Sequence, residues 1–119
     1  MPAKSIRPFI GAKDYEVSRS FYRTWGFSES ELGPKMSVFS FEEQSFYLQK
    51  YYVKEWVDNT MIFLETSSLD EHHARTLSLD LPEKFQGVRV TDIKVLDWGR
   101  EYFVHDPSGI LWHIGEFKD

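Results

Sequence analysis

Glu101, Phe103 and His113 place a carboxylate, an aromatic ring and an imidazole within one short stretch of a 119-residue chain. Residues 98–116 read W-G-R-E-Y-F-V-H-D-P-S-G-I-L-W-H-I-G-E, two apolar runs separated by Asp106-Pro107-Ser108-Gly109. Asp at the first turn position, Pro at the second and Gly at the fourth are favoured in a type I turn, so the stretch is expected to be a β-hairpin. Alternation along strands sends Glu101, Phe103, Leu111, His113 and Gly115 to one side. Tyr102, Val104, Ile110, Trp112 and Ile114 go to the other, and this uniformly apolar set is the expected core. The first set mixes ionisable and aromatic groups, as a ligand-lined surface would. Glu101 can approach His113 across the hairpin, and Arg7 can join them. Buried ions need partners, so such a network either holds the fold together or also touches a ligand; the sequence leaves both open.

Other chemistries lack their residues. With no cysteine there is no disulfide, thiolate nucleophile or Cys-based zinc site. The sequence has no Gly-rich phosphate loop, no G-x-S-x-G elbow and no H-E-x-x-H helix. The adjacent His72 and His73 would diverge by about 100° on a helix and cannot chelate together. His105, just before the turn, is expected to face solvent.

The bulk properties fit one domain, 1–119, large enough for a single core. A net charge of −5 and the absence of a basic run argue against nucleic acid. Residues 1–5 lack an apolar leader and no apolar run approaches membrane-spanning length, so neither membrane nor export is expected. Together with the missing cysteines this suggests a cytoplasmic protein. Aromatic residues make up 17% of the chain, high for its ordinary hydrophobicity; a β-rich core takes most of these rings and a stacking pocket a minority.

In chain order, 6–10 reads as a strand, and Asp14 as the N-cap of a helix that reaches Trp25 and stops at Gly26. Strands are expected over 29–32, 36–41 and 45–51. Residues 52–59 read as a polar linker carrying Trp56. A strand over 60–65 follows, then a helix to about Leu79 opened by a Ser68…Glu71 capping box. One strand over 88–98, irregular at Asp92, leads into the hairpin. Each half, about 5–51 and 60–117, is therefore βαβββ, and two such copies should pack pseudo-symmetrically around a shared cleft.

The run W-G-R-E-(aromatic)…D-P-x-G…H resembles the last hairpin of the vicinal-oxygen-chelate superfamily, most nearly that of bleomycin-resistance proteins. Ala12-Lys13-Asp14…Phe21-Tyr22…Gly26-Phe27 resembles that superfamily's first strand–helix unit, and Val57-Asp58-Asn59-Thr60 its second-half start. The resemblance implies an α+β fold of two pseudo-symmetric βαβββ units forming a curled mixed sheet. In metal-dependent members four inward positions hold the ion, and here they correspond to Arg7, Leu48, Met61 and His113. Arg offers no lone pair, Leu no donor atom, and a thioether suits hard divalent ions poorly. A lone imidazole is not a site, so neither metal nor cofactor is expected. The resemblance further implies a homodimer with aromatic clefts that sequesters a small aromatic molecule, with a cation favoured by the acidic balance. The lining would be Phe9, Phe46, Phe63, Phe103 and His113, with Arg7 and Glu101, and Trp56 and Trp98 as lids. The rivals are a metal-dependent lyase or dioxygenase drawing on Gln49, Glu65, His72 or His73, and a metal-free enzyme using Glu101 or His113 as a base.

Overall fold

The computed structural model describes residues 2–119; Met1, part of the stretch read as lacking a leader, lies outside them. Strand β1 (Phe9–Gly11) leads to helix α1 (Tyr15–Trp25), then to β2 (Ser28–Gly33), β3 (Met36–Phe41) and β4 (Gln44–Gln49). A short helix α2 (Lys54–Asp58) precedes β5 (Met61–Glu65), α3 (Leu69–Ser78) and a further short helix α4 (Leu81–Lys84). Four strands finish the chain: β6 (Arg89–Val90), β7 (Lys94–Leu96), β8 (Gly99–His105) and β9 (Leu111–Phe117). Among the described residues no helix is long and apolar enough to cross a membrane.

The strands form two sheets, ordered β1-β4-β3-β2 and β5-β9-β8-β6, with β7 also paired to β8. In each, the first strand of the unit runs parallel to the last and the remaining pairs are antiparallel. The expected duplication is therefore real at the level of topology, each unit contributing one sheet of mixed strand order.

Helix α1 starts where Asp14 accepts a hydrogen bond from the Val17 N–H at 3.2 Å and ends at Gly26, whose φ of 121° only glycine adopts freely. Its buried face is aromatic and reaches both sheets. The Tyr22 ring lies 4.9 Å from Phe46 on β4 and 5.9 Å from Trp112 on β9. A polar thread runs through the same contact: Trp112 Nε1 donates to the Tyr22 hydroxyl at 2.9 Å, and that hydroxyl donates to Asp106 at 2.7 Å. Asp106 also accepts from the backbone N–H groups of Ser108, Gly109 and Ile110, so the buried turn carboxylate clamps the last hairpin to α1.

Three expectations need correction. Ser68 does precede α3, but its side chain makes no capping bond; instead its N–H bonds Thr66 Oγ1 at 3.0 Å, a local turn that replaces the capping box. The strand expected over 88–98 breaks at 91–93, because Thr91 turns its hydroxyl to the Phe103 N–H and its N–H to the Phe103 carbonyl. His105 is half-buried, with Nδ1 removed from solvent and without a partner among the described residues.

Candidate functional site

Each sheet has one face covered by helices and one left open. On the second sheet the covered face takes Tyr102, Val104, Trp112 and Ile114, all 2% exposed or less, as alternation required. The open face takes Met61 and Phe63 from β5, His113 from β9, and Glu101 and Phe103 from β8. Phe63 is 44% exposed and Met61 65%. The hairpin register pairs Phe103 with His113 and Glu101 with Gly115, which sets the carboxylate diagonally beside the imidazole.

Glu101 forms the floor of this face. It is 8% exposed and lies 3.1 Å from Nδ1 of His113, whose ring donates to it when the proton sits on Nδ1. On the far edge of the ring, Nε2 is 3.4 Å from the Met61 sulfur. The imidazole is boxed by rings, Phe103 edge-on at 4.7 Å and Phe63 stacked at 6.4 Å. Phe63 in turn meets Trp98 and Phe117, each at 5.8 Å between centroids. Gly115 makes that arrangement possible: a Cβ there would lie 2.6 Å from Phe63 and 3.1 Å from Trp98. Sequence reasoning placed Gly115 on this side without giving it a role; a small residue amid large ones on a strand face was the available signal.

The open face of the first sheet is different. Phe9, 57% exposed, stacks on Tyr47 at 4.6 Å. The Arg7 guanidinium sits over the same tyrosine ring at 5.8 Å and donates to its hydroxyl at 3.3 Å. Arg7 is thus engaged with Tyr47, and the expected Arg7–Glu101–His113 network reduces to Glu101 with His113. Trp56, on α2, lies 6.0 Å from Tyr51 and borders Phe9 and Gln49.

Phe46 departs from its expected place. It is 2% exposed and points with Leu48 into the helix-covered core, against Tyr22, Phe39 and Trp112. The open face of β4 carries Ser45, Tyr47 and Gln49 instead. The inferred register was one residue out on this strand, which also removes Leu48 from the cleft. The nine candidate residues therefore separate into Phe63, Trp98, Glu101, Phe103 and His113 on one sheet, Arg7, Phe9 and Trp56 by the other, and Phe46 in the core.

The residues present do not fit a metal centre of the usual kind. Of the four implied positions, Arg7 bonds Tyr47, Leu48 faces the core, and only Met61 and His113 adjoin. The rival donors do not converge: His72 contacts the Tyr102 hydroxyl at 2.5 Å and His73 the Thr91 carbonyl at 2.9 Å, while Gln49 and Glu65 belong to different sheets. Among the described residues no three His, Asp or Glu side chains gather as ligands.

No family model matches the sequence and no curated protein matches it. Solved structures do match in fold. A bleomycin resistance determinant encoded on the transposon Tn5 superposes with a TM-score of 0.83 at 14% identity, covering 98% of this chain and all of the other. The bleomycin-binding protein of Streptomyces verticillus, complexed with copper(II)-bleomycin, gives 0.82 at 20% identity and 99% coverage of each chain. Lactoylglutathione lyase of Agrobacterium tumefaciens gives 0.69 at 16% identity, covering 98% of this chain and all of that enzyme. The chain therefore has the vicinal-oxygen-chelate fold, the architecture shared by the bleomycin-binding proteins and the glyoxalases.

Proposed function

We propose that this protein binds a small planar aromatic molecule, preferentially a cation, and holds it unchanged. The observation that carries this reading is Glu101, a nearly buried carboxylate at the floor of an open cluster of rings. Ring faces attract a cation by roughly 0.5–2 kcal/mol each, and Glu101 supplies the countercharge because Arg7 is held elsewhere by Tyr47. The bleomycin-binding neighbours support a binding role. A second copy of the chain covering the open faces belongs to the same proposal, as does a cytoplasmic setting, which the cysteine-free sequence favours.

The test is a titration followed by Trp98 fluorescence, with proflavine as the planar cation and a naphthalenesulfonate as the anionic counterpart. The cation should bind more tightly, and mass spectrometry should recover it unaltered. Equal affinity for both probes, or recovery of a converted product, would sink the proposal. Conversion would favour catalysis by the Glu101–His113 pair, a carboxylate-oriented imidazole of the kind general bases use. Against that stands Met61, whose sulfur blocks the outward nitrogen at 3.4 Å.

A further inference from the structure

We propose that the gap between the two sheets is a separate binding site for a small hydrophobic monocarboxylate, with Arg7 as its anion contact. The gap is a groove, open to solvent along one side, of about 420 Å³, within the roughly 300–1,000 Å³ typical of small-molecule sites. Its inner wall is Phe27, Phe46 and Trp112, whose ring centroids lie 5.4–5.6 Å from one another. These side chains are 7% exposed or less and belong to the core, so the wall is preformed and rigid. Ile62 and Leu64 of β5 and residues 6–8, ahead of β1, also line it.

The polar groups at the gap select the charge. None of its lining residues is a carboxylate, and its one charged group is Arg7. Among the described residues that guanidinium spends its contacts on Tyr47, one hydrogen bond of 3.3 Å and a ring face, which leaves further N–H donors free for an anion. A cation entering here would meet Arg7 without a countercharge; a carboxylate would meet a guanidinium donor fork suited to it. The apolar body of the ligand then covers exposed hydrophobic surface at the rim, where Ile6 is 95% exposed. The site is distinct from the aromatic face because its wall residues Phe46 and Trp112 point to the opposite side of their sheets from Phe103 and His113, while Arg7, ahead of β1, lines the gap from its rim. Met61 and Phe63 border both.

Calorimetry on the full chain with 2-naphthoate, and with 2-naphthamide as the uncharged control, tests the proposal. Naphthoate should bind saturably with one site per chain. Arg7→Gln, an exposed change that leaves the core untouched, should weaken it about tenfold, as loss of one charge-assisted hydrogen bond would, and leave naphthamide unchanged. The Trp112 indole N–H resonance should move on binding, and Phe103→Ala, on the other face, should have no effect. Three results would overturn the proposal. They are no saturable binding up to millimolar naphthoate, indifference to Arg7→Gln, or a complex that Phe103→Ala abolishes while the Trp112 signal stays still. Binding to a dilute monomer that vanishes on self-association would likewise overturn it, in favour of a second copy of the chain as the occupant. Since the cation proposed for the aromatic face plays no part in these measurements, either reading can fail without the other.

Discussion

Phe103 is the side chain through which the aromatic face can be weakened without disturbing the core. Its ring touches His113 edge-on and is half-exposed on the open side, so truncation removes ligand contact before it removes packing. Phe103→Ala should lower proflavine affinity by about 1 kcal/mol or more, the scale of one aromatic contact; unchanged affinity of a confirmed ligand would end the assignment. Asp106 is the opposite case, a residue whose importance is structural. It is 1% exposed and accepts from three backbone N–H groups and the Tyr22 hydroxyl. Asp106→Ala leaves those donors buried and unpaired, each at a cost of roughly 1–3 kcal/mol. The midpoint of urea unfolding should fall steeply, or the variant should fail to fold, and a shift within error of zero would refute this role. Residue types alone announced the turn but not its tether, because Tyr22 lies 84 positions away in sequence. Likewise Arg7 was legible as a cation in the site region, while its choice of Tyr47 over Glu101 depended on which sheet each occupies.

At the scale of elements, the long periodic segments were readable and the short ones were not. Asp14, the aromatic face and Gly26 marked α1 to within a residue, and the D-P-S-G turn marked the last hairpin, since capping and turn chemistry are local. Helices α2 and α4, of five and four residues, carry too little periodicity to be seen, and tertiary contacts decide them. Phe46 and Leu48 were misplaced because an alternating strand has two faces, and composition alone does not say which one α1 will cover. Two elements carry an acid sensitivity that can be measured. On α3, burial lowers the His72 pKa from 6.5 to about 4, helped by the positive charge of Arg75 and by His73. The unfolded chain then takes up the proton first, so stability held above pH 6.5 is lost as pH falls toward 4. On β2, burial raises the Glu29 pKa, but hydrogen bonds from Arg19, Ser37 and Arg23 outweigh it and bring it from 4.5 down to about 2. A depressed carboxyl stabilises above the unfolded value and loses that contribution between pH 4.5 and 2. Melting temperature against pH should therefore decline in two stages. His72→Gln should flatten the first and Glu29→Gln the second, and a single stage unaffected by either change would show that these groups do not govern it.

At the scale of the molecule, the two open faces are the surfaces that the proposed pairing with a second copy would cover. One presents Phe9, Tyr47 and Arg7; the other presents Met61, Phe63 and Phe117, with Glu101 beneath. Met61, Phe9, Phe117 and Phe63 are 65%, 57%, 52% and 44% exposed, a concentration of apolar surface that a lone chain would leave in water. Helices cover the opposite side of both sheets, so the chain cannot fold one open face onto the other; a second copy can. A two-fold axis would set the first sheet of each chain against the second sheet of its partner, making the same contact twice. An interface of about 1,600 Å² would be ordinary for a stable pair. Sedimentation at micromolar concentration is expected to give twice the chain mass of 14.1 kDa. Phe63→Glu, which buries an unpaired carboxylate beside Glu101 in such an interface, should shift the population to monomer while leaving the fold intact by circular dichroism. A wild-type monomer under these conditions would defeat the paired arrangement, and with it any site built from both sheets of different copies. Proflavine affinity in that monomer would then show whether Glu101 and its rings suffice alone.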